Sequence, residues 1–197
     1  MPSLNNPMKK IIIIGATGSL AQYVIEALNT MDTVDITLFA RNKNRLSKSI
    51  ESGYRVVEGD ALNYDDVKNA VAGQDVVYVN LAGNLETMAK NIVKAMQETG
   101  VKRIIAISSI GIYETPIKPV LKPYRALADV IELSPLDYTI LRPDWFTNAN
   151  EVDYVLTKKG QRETGTAISR KSIAAFVATL IENPKSHIRE NLGISKP

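Results

Sequence analysis

The 197-residue sequence contains no cysteine and a single histidine, His187. The first absence excludes disulfides, thiolate metal ligands, iron–sulfur clusters and a cysteine nucleophile. The second excludes a multi-histidine metal site, and no metal is expected. A cysteine-free chain is compatible with a reducing cytosol, and a cytoplasmic location is expected. Long apolar runs are also missing. Lys9 and Lys10 precede only four isoleucines before Gly15, short of the roughly 7–15 apolar residues of a secretory signal and the about 20 of a spanning helix. The charge balance is +3, without any tract of about five or six like charges that would read as a binding tail. Neither a membrane nor a nucleic-acid partner is expected.

What is present is ordinary globular material, 45% hydrophobic and 23% charged, which rules out a disordered or collagen-like chain. The length fits one domain over residues 1–197, with a loose terminus over 1–8 and a small appendage over 143–197. Ile11–Ile14 is an all-apolar, β-branched run that fits a strand buried on both faces. Apolar residues then recur at helical spacing from Ser19 to Leu28. Further strands are predicted at 34–39, 54–57, 75–79, 103–107 and 137–141. Helices are predicted at 42–50, 65–72, 86–99, 124–133 and 172–182. The region after Pro143 is less regular, with short strands expected at 152–156 and, as a last edge strand, at 191–195. Strict strand–helix alternation implies α/β architecture: a Rossmann-type doubly wound parallel sheet with right-handed crossovers.

The strongest chemical signal is Gly15-Ala16-Thr17-Gly18-Ser19-Leu20-Ala21, between the first strand and the first helix. Gly15 permits a tight turn, Gly18 a close backbone approach to a pyrophosphate, and Ala21 close helix–sheet packing. The helix start offers free N–H donors and partial positive charge, and Thr17 and Ser19 add hydroxyls. The strand–turn–helix context separates this pattern from a chance glycine match. At the end of the second strand, where an NAD site places a carboxylate, the sequence has Arg41, with Lys43 and Arg45 nearby. A guanidinium there suits a 2′-phosphate, so NADP(H) is expected in preference to NAD(H). The alternative for Arg41 is a solvated loop residue. Asp60, Ala61 and Leu62 are placed to bracket adenine, although Asp60 equally suits a turn. Ala82 and Gly83 follow the fourth strand and are placed to pass under a ribose.

The glycine turn, Ser108-Ser109-Ile-Gly-Ile-Tyr113 and Tyr138-Thr-Ile-Leu-Arg-Pro143 together resemble the atypical short-chain dehydrogenase/reductases, in their NAD(P)H-binding, NmrA-like and flavin-reductase-like branch. That resemblance implies a cofactor contact at Ser108 and catalytic candidates at Ser109 and Tyr124. It implies a Tyr-x-x-x-Lys relay as well, but the position four after Tyr124 is Ala128, so the standard proton relay is broken. The segment Pro143-Asp144-Trp145-Phe146-Thr-Asn148 corresponds to the family's acceptor-side loop. Trp145 and Phe146 are read there as an aromatic wall, or as a cover for the sheet's end. Asp144 and Asn148 are read as orienting groups.

Carbonyl reduction needs a positioned acid, whereas a flavin or quinone delocalises the charge it receives. The leading expectation is therefore an NADPH-dependent oxidoreductase acting on a small planar acceptor. A non-catalytic NADP(H)-binding redox sensor is the first alternative. A nucleotide-sugar epimerase or dehydratase is the second, disfavoured by the short C-terminal stretch and the missing relay. The expected partner is a small-molecule acceptor, with a homodimer left open.

Overall fold

The computed structural model describes residues 8–197, so the expected loose terminus lies almost wholly outside the described residues. The chain runs β1 (Lys9–Ile14), α1 (Ser19–Leu28), β2 (Val34–Ala40), α2 (Lys48–Gly53), β3 (Arg55–Glu58), α3 (Tyr64–Val71), β4 (Val76–Val79) and α4 (Leu85–Thr99). It continues through β5 (Arg103–Ile107), α5 (Lys122–Glu132), β6 (Asp137–Pro143), β7 (Phe146–Thr147), β8 (Val155–Lys158), β9 (Ile168–Ser169), α6 (Arg170–Glu182) and β10 (Glu190–Ser195). Eight strands form one sheet in the order β3-β2-β1-β4-β5-β6-β10-β8. All neighbours are parallel except β8, which runs antiparallel to β10. β7 and β9 form a separate two-stranded pair.

The four isoleucines of β1 explain why the sheet is covered on both faces. Ile11 and Ile13 pack with α1 and α6, while Ile12 and Ile14 pack with α3, α4 and α5. Successive strand residues point to opposite faces, so a strand buried on both sides must be apolar at every position. α1 presents Leu20, Ala21, Val24, Ile25 and Leu28 to one layer. α4 presents Leu85, Met88, Ala89, Ile92, Val93 and Met96 to the other. α4 stops at Gly100, whose φ of 77° closes the helix in the left-handed region.

Three expectations need correcting. The helix expected over 42–50 is a 3₁₀ turn at Lys43–Arg45 followed by α2. Asn42 caps that single turn through Asn44 N at 2.9 Å, and Ser47 starts the helix afresh through Ile50 N. The strand expected over 152–156 begins at Val155. β10 is not an edge strand: it lies between β6 and β8, and β8 is the edge.

The C-terminal elements are tied to the sheet by a buried polar network. Arg142, 2% exposed, pairs with Glu163 at 2.8 Å. It also donates to the Asn191 carbonyl at 2.9 Å and to Asn191 Oδ1 at 2.5 Å. Lys159 pairs with Glu132 at 2.6 Å. Asn191 donates to Tyr113 Oη at 2.7 Å and to Glu132 at 2.8 Å. Burial pushes the Tyr113 phenol up from its ordinary pKa. Burial also pushes the Glu132 carboxyl up, but hydrogen bonds from Lys159, Asn191 and Tyr113 outweigh it and hold the group below its ordinary value. His187 is half-buried against Phe176 and Glu190.

Candidate functional site

The strand order reverses at β1: β2 lies on one side and β4 on the other. Such a switch point leaves a crevice beyond the carboxyl ends of the strands. A cavity of about 550 Å³ fills it, lined by the turn after β1, the ends of β2 and β3, the loop after β4, and Met88, Tyr124 and Phe146.

The turn is built for close approach. Gly15 has φ +91°, and a Cβ there would lie 2.0 Å from the Asn80 carbonyl oxygen. A Cβ on Gly18 would lie 2.8 Å from Asn80 Nδ2. The turn is held by Gly15 N and Ala16 N donating to Phe39 O and by Gly18 N donating to Gly15 O. Gly18 is the N-cap of α1 and makes no side-chain cap bond, and the first turn carries no acidic residue. The helices α2, α3, α4 and α6, by contrast, are capped by Ser47, Asn63, Asn84 and Ser169. The amide end of α1 therefore remains available to an anion.

The structure brings many of the expected residues to this cavity. Gly15, Thr17, Gly18, Ser19, Leu20, Arg41, Asp60, Ala61, Ala82, Tyr124 and Phe146 line it. Arg45 and Asn42 stand with Arg41 at the end reached by β2, and both arginines are exposed. Asp60 makes a turn, its Oδ1 accepting from Leu62 N at 3.0 Å. Asn91 of α4 holds that loop by donating to the Ala61 and Leu62 carbonyls.

Other expected residues lie outside the lining. Ala16 is buried, while Leu62 and Gly83 are exposed. Ser108 is buried, and its hydroxyl donates to the Tyr124 carbonyl at 3.0 Å, anchoring α5 to the end of β5. Ser109 donates to the Ile110 carbonyl at 3.1 Å. Pro143 ends β6, buried, and Asp144 turns back to accept from Trp145 N at 2.6 Å. Trp145 is 82% exposed, whereas Phe146 meets the cavity. Trp145 sits in the bend before β7, whose first residue is Phe146, and only the second ring lines the cavity. Asn148 is exposed and accepts from Arg170 at 2.7 Å.

Ala128, at the place of the relay lysine, is fully buried among apolar residues that include those of α4. Lys122 is exposed at the start of α5. Tyr124 therefore lines the cavity without an ammonium one helical turn further on. Two further residues escaped the sequence reading. Asn80 follows β4 and packs on both glycines. Arg170, first residue of α6, donates to Ser19 Oγ at 3.2 Å. The spacing of chemical groups in the sequence signals neither.

An uncapped helix start, a glycine cradle and a crevice at a sheet switch point define a dinucleotide site. The chain matches the NAD(P)H-binding family over residues 15–184 and belongs to it. It is 43% identical to a Rossmann-fold NAD(P)-binding family protein from Shigella flexneri, with TM-score 0.88 over 96% of this chain and 94% of that one. A short-chain dehydrogenase/reductase from Veillonella parvula, solved in complex with NADP, is 27% identical, with TM-score 0.88 over 96% and 95%. Among curated proteins, an isoflavone reductase homolog of Nicotiana tabacum, A622, is 29% identical over 80% of this chain and 53% of its own. Quinone oxidoreductase 2 of Escherichia coli is 27% identical over 70% and 49%. The chain thus spans about half the length of these curated relatives. Among the described residues no helix is long and apolar enough to cross a membrane.

Proposed function

We propose that the protein is an NADPH-dependent reductase of a small planar acceptor, a flavin or a quinone. The observation that carries this reading is the buried Ala128 behind Tyr124. The wall beside the acceptor has a phenol but no ammonium one helical turn behind it, so the chemistry must tolerate a weak or absent protein acid. A delocalised acceptor does so, because solvent can protonate the reduced product, whereas an alkoxide needs its proton in the transition state.

The glycine cradle and the free amides of α1 suit the pyrophosphate. Arg41 and Arg45 line the adenosine end, and the terminal β2 residues Leu38, Phe39 and Ala40 carry no carboxylate. Two guanidiniums without a carboxylate favour a 2′-phosphate over a free ribose hydroxyl. When bound, NADPH supplies the hydride. The protein's part is to hold the dinucleotide, to present the Phe146 ring to a flat acceptor, and to keep Tyr124 in place through the Ser108 bond to its carbonyl. The similarity to a quinone oxidoreductase supports the acceptor class, and that to an NADP complex supports the cofactor.

Stopped-flow mixing of the NADPH-loaded protein with FMN, menadione and a panel of aldehydes tests the reading. Oxidation by FMN or menadione, well ahead of the aldehydes, is the expected result. Tight NADPH binding without oxidation by any acceptor would refute it and leave an NADP(H)-binding sensor. Replacing Arg41 by alanine is expected to weaken NADPH about 10- to 100-fold and NADH far less, the loss of charge-assisted bonds to one phosphate. Equal losses would remove the NADP preference.

A further inference from the structure

Arg170 joins the phosphate turn to the loop after β6. Its Nε donates to Ser19 Oγ at 3.2 Å on the phosphate turn. Its Nη1 donates to the Thr147 carbonyl at 3.3 Å and to Asn148 Oδ1 at 2.7 Å, on the loop after β6. Its guanidinium lies 5.0 Å from the centre of the Phe146 ring, which lines the cavity. All three hydrogen-bond partners are neutral. No carboxylate pairs with Arg170 among the described residues, whereas Arg125 and Arg142 each have one. A guanidinium held by neutral acceptors beside an uncapped helix start carries positive charge toward a phosphate.

We propose that Arg170 is a positioning residue that reads the cofactor's pyrophosphate and, through the same guanidinium, sets the acceptor loop over residues 144–150. The dinucleotide then binds first and the acceptor second. This rests on the dinucleotide reading of the cleft and deepens it. The physical basis is the planar fork: one rigid group with several donors cannot shift toward an anion at Ser19 without pulling on Thr147 and Asn148. Differential contact with the occupied and empty turn is what transmits binding to the loop.

Trp145, the only tryptophan and 82% exposed on this loop, reports its position. Titration with NADP⁺ or NAD⁺ avoids absorption by the reduced nicotinamide. In the wild type, NADP⁺ is expected to change Trp145 emission, while adenosine 2′-monophosphate, which lacks the pyrophosphate, binds without changing it. Arg170→Ala is expected to weaken NADP⁺ and NAD⁺ by a similar factor, about tenfold for a lost charged contact, and to leave adenosine 2′-monophosphate unaffected. Arg170→Lys keeps the charge without the fork, so it should recover most of the affinity but not the emission change. Asn148→Ala removes the shorter of the two bonds to the loop and keeps the one to the Thr147 carbonyl, so it should keep the affinity and reduce the emission change.

Unaltered NADP⁺ affinity in Arg170→Ala would overturn the proposal, as would a loss of adenosine 2′-monophosphate binding as large as that of NADP⁺. An emission change that survives undiminished in both Arg170→Lys and Asn148→Ala would also overturn it. If the wild type bound neither dinucleotide, the cofactor reading itself would fall. Cofactor binding that is intact in the wild type and in Arg170→Ala removes the Arg170 assignment alone.

Discussion

The two glycines of the turn separate stability from binding, and substituting each by alanine measures that separation. At Gly15 the added Cβ lies 2.0 Å from the carbonyl oxygen and 2.9 Å from the carbonyl carbon of Asn80. Those are backbone atoms of a loop held by Asn80 N donating to Ile14 O at 2.9 Å, so no rotamer relieves the overlap. The φ of +91° adds about 1–2 kcal/mol for an L side chain. The overlap adds about 1–3 kcal/mol. Gly15→Ala is thus expected to cost about 2–5 kcal/mol, or roughly 6–15 °C in melting temperature at about 3 °C per kcal/mol for a domain of this size. At Gly18 the φ is −72°, which any residue adopts. The first contact is Asn80 Nδ2 at 2.8 Å, the end of a side chain that can turn away. Gly18→Ala should therefore cost about 1 kcal/mol, the loss of a fair N-cap residue. The new methyl stands at the mouth of the α1 amides, however, and NADPH affinity should fall by at least about tenfold. Thermal melts followed by circular dichroism and NADPH titration check both variants. Equal melting losses would refute the steric account of the turn, and wild-type NADPH affinity in Gly18→Ala would refute its role as a phosphate cradle.

Three other perturbations follow from the same geometry. Arg142→Ala leaves the part-buried Glu163 carboxylate without its cation and Asn191 Oδ1 without its donor and should lower urea-unfolding stability by about 3–5 kcal/mol; a loss below about 1 kcal/mol would mean the network is solvated. Ala128→Lys puts an ammonium into the apolar layer between α4 and α5, so melting should drop with no gain in aldehyde reduction; a stable variant that reduces aldehydes would contradict the helix orientation. Glu132 is held below its ordinary carboxyl pKa in the folded state. Its contribution is therefore present above the unfolded value, near 4.5, and is lost as pH falls through the lower folded value. Glu132→Gln should lower stability at neutral pH, where that contribution is present, and flatten the dependence of stability on pH over the acidic range, as urea midpoints across pH would show.

The parts of the molecule that were legible in sequence are those whose determinants are local. Ile11–Ile14 reads as a doubly covered strand because burial on both faces demands four consecutive apolar residues. The phosphate turn reads as such because strand, glycines and helix lie within a dozen residues. The misread stretch 42–50 has two competing caps, Asn42 and Ser47, and local periodicity does not say which of them starts the longer helix. The placement of β10 was not legible either. Whether a strand is an edge depends on what pairs outside it, here the short antiparallel β8.

The same division runs through the site. Its cofactor half is assembled from turns that each carry their own signal. Its other half is assembled across sequence: Arg170 reaches Ser19 from 151 positions away and Asn148 from 22. The missing lysine was visible as a letter, but only the burial of Ala128 shows that the helix face itself points into the core. Trp145 and Phe146 make the converse case. Adjacent in sequence, they suggest a single wall, but the bend at Trp145 leaves that ring in solvent while Phe146, at the start of β7, lines the cleft. That split leaves Phe146 with Tyr124 in the cavity lining and an exposed indole on the loop that Arg170 holds. Cavity lining and loop position therefore depend on neighbouring residues with separate jobs, and replacing Trp145 should alter the loop's signal while leaving the cavity wall intact.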